Sequence, residues 1–205
     1  MTNIKRYLSE TAAKNSLDPS VMQFPDCELD PAKIKAVMVN EVVPRNSDDW
    51  FYSEAADPEN RRTAFGIFEL AGIPVKSMRD VLDRGIYITA ALKTPKDGYT
   101  ADPAVIRAQL PLLAAELALF PNLKAITLMG DVAIKSFNMI TKAETKKNII
   151  PSGSTYKIRG GEYFWGNIRV FPSYIMTGKN LLIEPFKRDT VAEDIRRMME
   201  AVKNV

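Results

Sequence analysis

Four short apolar runs punctuate the chain at intervals of roughly 40 to 50 residues: Ala36–Val39, Ile86–Thr89, Ala125–Met129 and Ile168–Phe171. Each is brief, rich in β-branched residues and ended by turn or polar residues, which is the pattern of a buried strand. Helical signals lie between them. Asp57-Pro58 places an N-cap and a first-turn proline ahead of Phe65, Phe68 and Leu70, and Gly72 closes that stretch. Asp102-Pro103 repeats the device before Val105, Ile106, Leu110, Leu113, Leu117 and Phe120, an apolar stripe at helical spacing. Gly130-Asp131 opens a helix directly after a strand, and Thr190 with Glu193 has the form of a capping box that starts a last helix carrying Ile195, Met198, Met199 and Val202.

Strands that alternate with helices predict a parallel sheet, because parallel neighbours need crossovers and the crossovers cover both faces. The expected fold is a three-layer α/β/α sandwich with a four-stranded, mainly parallel sheet. With no internal repeat and no linker, residues 1–205 read as one domain, with 1–30 as an N-terminal helical extension. The stretch from Lys142 to Asn167, with its Pro, Gly, Ser and aromatic residues, reads as a hairpin or long loop before the last strand. In such sheets ligands bind beyond the carboxyl ends of the strands, so chemistry is sought after Val39, Thr89, Met129 and Phe171.

Composition narrows that chemistry by exclusion. The 205 residues include one cysteine, Cys27, and no histidine. An internal disulfide, a cysteine metal cage, and nucleophilic or acid-base catalysis by histidine are all ruled out. Carboxylates, lysines, tyrosines and backbone amides remain. Residues 1–17 lack the apolar run of a signal peptide or membrane span, so the expected location is the cytoplasm. The net charge of +3 is unevenly spread. Residues 1–120 hold 14 Lys and Arg against 17 Asp and Glu, whereas residues 121–205 hold 14 against 8. A basic half of this kind is either a solvated face or a surface that meets phosphates.

The strand ends carry the candidate residues. Asn40-Glu41 follows the first strand and leads into a loop ending in Trp50-Phe51-Tyr52. A carboxylate and an amide there can polarise a water, and the aromatics can stack a flat ring; equally, Asn40 and Glu41 can cap the strand while the rings pack under the loop. After the second strand only Lys93 is able to contact a polar ligand. Gly130-Asp131 places free helix N–H groups at the same edge, which suits an anion. The last strand gives way to Pro172-Ser173-Tyr174-Ile175-Met176-Thr177-Gly178-Lys179-Asn180-Leu181-Leu182, a polar loop with an apolar tip.

From Lys35 to Val202 the order of these elements resembles the uracil-DNA glycosylase superfamily, and is most similar to its iron-sulfur branch. The branch's Gly-Glu-Ala-Pro-Gly motif is met by Asn40-Glu41-Val42-Val43-Pro44, and its Ile-Thr-Asn-x-x-Lys-Cys-x-Pro motif by Ile88-Thr89-Ala90-Ala91-Leu92-Lys93-Thr94-Pro95. Leu128-Met129-Gly130-Asp131-Val132-Ala133 and Arg159-Gly160 match the turn into its third helix and the Arg-Gly before its last strand. Pro172-Ser173-Tyr174-Ile175-Met176-Thr177 stands where the branch has Pro-Thr-Tyr-His-Pro-Ser.

The resemblance implies a DNA repair glycosylase that hydrolyses the N-glycosidic bond of a flipped deaminated base. Glu41 then holds the water with Asn40 as its neighbour, Phe51 or Tyr52 stacks the base, and Ala90 and Lys93 occupy the base-reading positions. Lys157, Arg159, Arg169, Ser173, Tyr174, Thr177, Lys179, Asn180, Lys187 and Arg188 meet the DNA, and Leu181 or Leu182 acts as the wedge. The chain departs from the family at three points. Ala90 stands in place of the edge-reading asparagine, Ile175 in place of the histidine, and the cluster cysteines are missing, so no iron-sulfur cluster and no other cofactor is expected. Relaxed base selectivity follows from the loss at Ala90. The expected partner is DNA, with no membrane, and the expected state is a monomer. Two other readings stand beside this one: a binding module of the same fold without catalysis, and an unrelated small-molecule enzyme on a doubly wound sheet.

Overall fold

The computed structural model describes residues 1–98, 100–177 and 185–203. Two strands at the N-terminal side, β1 (Thr2–Asn3) and β2 (Glu28–Leu29), pair antiparallel and flank helix α1 (Ile4–Lys14). The central sheet contains β3 (Ala36–Val42), β4 (Ile86–Leu92), β5 (Ala125–Met129), β6 (Tyr163–Trp165) and β7 (Ile168–Ser173), in the order β4-β3-β5-β7-β6. The first four in that order are the predicted strands, and each pairs parallel with its neighbour.

Among the described residues the four expected strands are joined by a fifth. The added strand, β6, pairs antiparallel with β7, so the hairpin joins the end of 142–167 to the last strand and does not lie within that segment. The rest of that segment is the end of a helix, a loop over 146–154, a short helical turn over 155–158 and a further turn before β6.

Helices α2 (Glu59–Leu70), α3 (Met78–Asp83), α4 (Pro103–Ala118), α5 (Asp131–Thr145), α6 (Thr155–Ile158) and α7 (Pro185–Lys203) complete the described chain. Helices α1, α4 and α5 cover one sheet face. There Leu8, Leu113, Leu117 and Phe137 meet Val37, Val39, Ile126 and Leu128. Helices α2 and α7 cover the other, where Ile67, Phe68, Val191 and Ile195 meet Met38, Ile88 and Met129. The period-two alternation of β3 between the two clusters follows from the pleat. No helix among the described residues is long and apolar enough to cross a membrane.

Two helix starts differ from expectation. Asp57 does not cap α2; Pro58 is the N-cap residue, and the Asp57 carboxylate pairs with Arg62 instead. Thr190 does not open the last helix, which begins at Pro185. Its hydroxyl donates back to the Phe186 carbonyl at 2.8 Å, a bond that helix interiors accommodate. The Asp102 cap stands as expected, accepting from the Ala104 N–H at 2.7 Å with Pro103 at the first position.

Candidate functional site

Three strand ends converge at the carboxyl edge of the sheet. Glu41, near the end of β3, projects toward the α5 side, where its Oε1 accepts from the Val132 N–H at 3.1 Å. Its Oε2 accepts from Lys96 Nζ at 2.5 Å, and the two side chains keep only 8% and 20% exposure. The turn between β5 and α5 makes this possible. Gly130 has φ +95°, and a Cβ there would lie 2.6 Å from Glu41 Oε1 and 2.7 Å from Ile175 Cγ1. Only glycine leaves room for the carboxylate and for Ile175, which follows β7 and is partly exposed.

Two partners of positive polarity face the Glu41 side chain. A helix N-terminus stabilises negative charge through its free N–H groups, and an ammonium stands on the opposite oxygen. Lys96 also lines an open hollow of about 510 Å³ with Thr94, Asp97 and Asp102. Arg45 pairs with Asp97 on the rim of that loop. The group thus combines an anion, a cation and backbone donors, the ingredients for stabilising a developing charge of either sign.

Asn40 does not share this position. Successive strand residues point to opposite faces, so Asn40 faces the α2 and α7 side. It is buried, and its Nδ2 donates to the Thr89 carbonyl at 3.3 Å, while its Oδ1 has no partner among the described residues. Ala90 lies in register with Asn40 and is fully buried.

Phe51 is also fully buried. It packs against Trp50 with ring centroids 5.0 Å apart and belongs to the core on the α2 and α7 side. The reading in which the loop aromatics pack beneath the loop describes its seat. Tyr52 donates to the Ile88 carbonyl at 2.8 Å, and burial pushes its phenol well above the usual range. Phe51 and Tyr52 border a hollow of about 310 Å³ together with Cys27, Arg61 and Met78, and Glu41 is not among its lining residues. The acid and the ring that the resemblance would bring to one base do not meet at this hollow. Burial pushes the Cys27 thiol up to about 12.

Lys93 corrects a second expectation. It does not face a ligand; it is fully buried on the α4 side. Its Nζ donates to Thr89 Oγ1 at 2.6 Å, the Ala90 carbonyl at 2.7 Å and Glu116 Oε2 at 2.6 Å. Glu116 Oε1 accepts from Tyr87 and Thr89 hydroxyls at 2.6 and 2.7 Å. Burial lowers the Lys93 ammonium's pKa, against the opposing pull of Glu116.

Of the expected DNA contacts, Lys157 is exposed on α6. Arg159, Ser173 and Arg169 are already engaged. Arg159 donates to Glu193 at 2.7 Å and Asp194 at 2.8 Å, and Ser173 donates to the other Asp194 oxygen at 2.7 Å. Burial raises the Asp194 carboxyl's pKa, opposed by the Ser173 and Arg159 hydrogen bonds. Arg169 stacks between Phe164 and Phe171 with its carbon 4.9 and 5.2 Å from the ring centres, and donates to the Gly161 carbonyl at 3.2 Å. Tyr174 meets Phe186 edge-on and carries the Lys187 ammonium 5.7 Å from its ring. Thr177 and Arg188 are half-buried. Lys179, Asn180, Leu181 and Leu182 lie outside the described residues.

Sequence reasoning missed Lys96 and Asp194. Each acts through a partner 55 or 21 residues away, and no local pattern announces such a pairing. Among the described residues no cluster of three or more acidic, cysteine or histidine side chains is placed to hold a metal ion. No protein-family model matches the chain, and no curated protein matches it.

Proposed function

We propose that the chain is a cytoplasmic DNA-binding protein of uracil-DNA glycosylase-like fold that hydrolyses the N-glycosidic bond of a flipped, deaminated base. The observation that supports this most is the Glu41 carboxylate, held at the carboxyl edge of the sheet between the Val132 N–H and the Lys96 ammonium, with Ile175 alongside. Hydrolysis of that bond needs an anion near the sugar as it becomes cationic and a donor for the base that leaves with the electron pair. Glu41 meets the first need, orients the water whose oxygen bonds to the sugar carbon as the C–N bond to the base breaks, and takes up the proton that water gives up. Lys96 meets the second, in a chain that has no histidine. The basic residues of 142–188, nine Lys and Arg against three Asp and Glu, supply sequence-independent attraction to the phosphates.

A second reading, DNA binding without turnover, draws on the enclosure of Phe51 and Lys93 and the aliphatic side chain at Ala90. A flipped base regains ~1–3 kcal/mol on an aromatic face, and the Phe51 ring as seated faces the core. Oligonucleotides carrying uracil, hypoxanthine or xanthine decide between the two. The first reading expects an alkali-labile abasic product from at least one of them. Binding that weakens with salt while every substrate stays intact would leave only the second, and absence of both binding and product would remove both.

A further inference from the structure

A cavity of about 430 Å³, which Glu41 does not line, lies between the outer face of α5 and the 148–158 segment. Its construction is specific. Asn138 reaches from α5 to Ile150 with both ends of its amide: Nδ2 donates to the Ile150 carbonyl at 2.8 Å, and Oδ1 accepts from the Ile150 N–H at 3.0 Å. This two-point clamp holds the segment as the far wall. Ile134, Ile150 and Ile158 make the interior apolar, while Ser152 and Asn148 add a hydroxyl and an amide. Gly153 sits so close to the wall that a Cβ would come within 2.9 Å of Ile158 Cγ2.

Two cations flank the hollow. Lys135 and Lys142 are both lining residues, and neither makes an ion pair or side-chain hydrogen bond among the described residues. Seven positions apart, they share one face of α5 and stand about 10 Å apart along its axis. Asp131, at the first turn of α5, lines the opposite end and follows directly on Gly130, which touches the Glu41 site.

We propose that this hollow takes one unpaired nucleotide of a DNA strand, its base between the isoleucines and its two flanking phosphates on Lys135 and Lys142. The inference rests on the DNA-binding reading above and adds a second nucleotide site to it. The volume suits a ligand of nucleotide size. Flexible lysine stems lean inward to reach the 5′ and 3′ phosphates of a single unit, which a free nucleoside monophosphate, having one phosphate, does not satisfy. The apolar walls accept a base only once it is out of its stack.

The test uses the full chain, an oligodeoxythymidylate of about ten nucleotides, and thymidine 5′-monophosphate, read by fluorescence anisotropy and by NMR of the isoleucine methyls. The oligonucleotide is expected to shift the methyls of Ile134, Ile150 and Ile158. In the double variant Lys135→Ala/Lys142→Ala the salt slope of binding falls by about 1.4, at about 0.7 per single-strand phosphate. The wild type therefore loses about sevenfold more affinity than the variant between about 50 and about 200 mM salt. Gly153→Val, which crowds Ile158 without altering charge, is expected to weaken binding while leaving the salt slope in place. Binding with unmoved methyls, or a salt slope unchanged in the double variant, overturns the second site and leaves the DNA-binding reading standing. Equal affinity for the free monophosphate overturns the strand as its occupant. No binding of any oligonucleotide overturns both.

Discussion

Two lysine–glutamate pairs stand three residues apart in their lysines and differ in almost every other respect. Lys93 and Glu116 meet at 2.6 Å with both side chains wholly buried, and two hydroxyls and a backbone carbonyl satisfy the remaining positions. Lys96 and Glu41 meet at 2.5 Å at the sheet's edge, with part of the lysine open to solvent and a helix N–H as the further donor to the carboxylate. The first pair is closed and has no room for a ligand. The second faces a rim where a ligand's charge can replace one partner. The same two side-chain types thus form a structural tie in one place and a candidate reactive group in the other, and the difference is solvent access.

Breaking each pair in turn sharpens that contrast. Lys93→Met leaves Glu116 buried without its cation, and such truncations cost about 3–5 kcal/mol. Urea unfolding measures it, and adding Glu116→Leu is expected to restore part of the loss, because replacing both charges removes the unpaired one. Gly130→Ala comes next. A Cβ at positive φ beside Glu41 and Ile175 costs about 1–3 kcal/mol in backbone strain and displaces the carboxylate, so cleavage activity falls further than stability does. Lys96→Met, which leaves the largely buried Glu41 carboxylate with the Val132 N–H but without its cation, costs about 1–3 kcal/mol while lowering activity by about 10²–10³, the effect of removing one charge-stabilising donor. An equal fall in activity and stability in Lys96→Met would erase the distinction between the pairs.

The smallest effect at neutral pH belongs to Cys27. Its thiol is held protonated up to about 12 in the folded chain, whereas an unfolded cysteine ionises near about 8.5. Between these values the unfolded state binds fewer protons than the folded one, so this group makes stability fall as pH rises. Cys27→Ala is expected to flatten the fall between pH about 9 and about 11 in urea midpoints and to leave the midpoint at pH about 7 nearly unchanged.

The fold was largely legible because the strands announce themselves locally. Ala125–Met129 is observed with the predicted bounds, and the other three predicted strands extend a few residues further. Strand β6 escaped because three residues give no period, and the start of α7 was misplaced because Thr190 has the letters of a cap but bonds within the helix. The site was legible only in part. Glu41 could be found from its place at a strand end, whereas the continuation of β4 to Leu92 carries Lys93 inward and hands the outward role to Lys96. Pleat parity separates Asn40 from Glu41, and it becomes informative only once the strand is known to continue through both.

In the proposed reaction the Glu41 carboxylate is the group on which the hydrolysis depends. Single-turnover cleavage of the best deaminated-base oligonucleotide, with DNA affinity measured alongside, compares wild type with Glu41→Gln, which keeps the size of the side chain and removes its charge. The expected rate is lower by about 10²–10³, with affinity within a few fold. Undiminished cleavage in Glu41→Gln, or no cleavage by the wild type on any deaminated base, would contradict it.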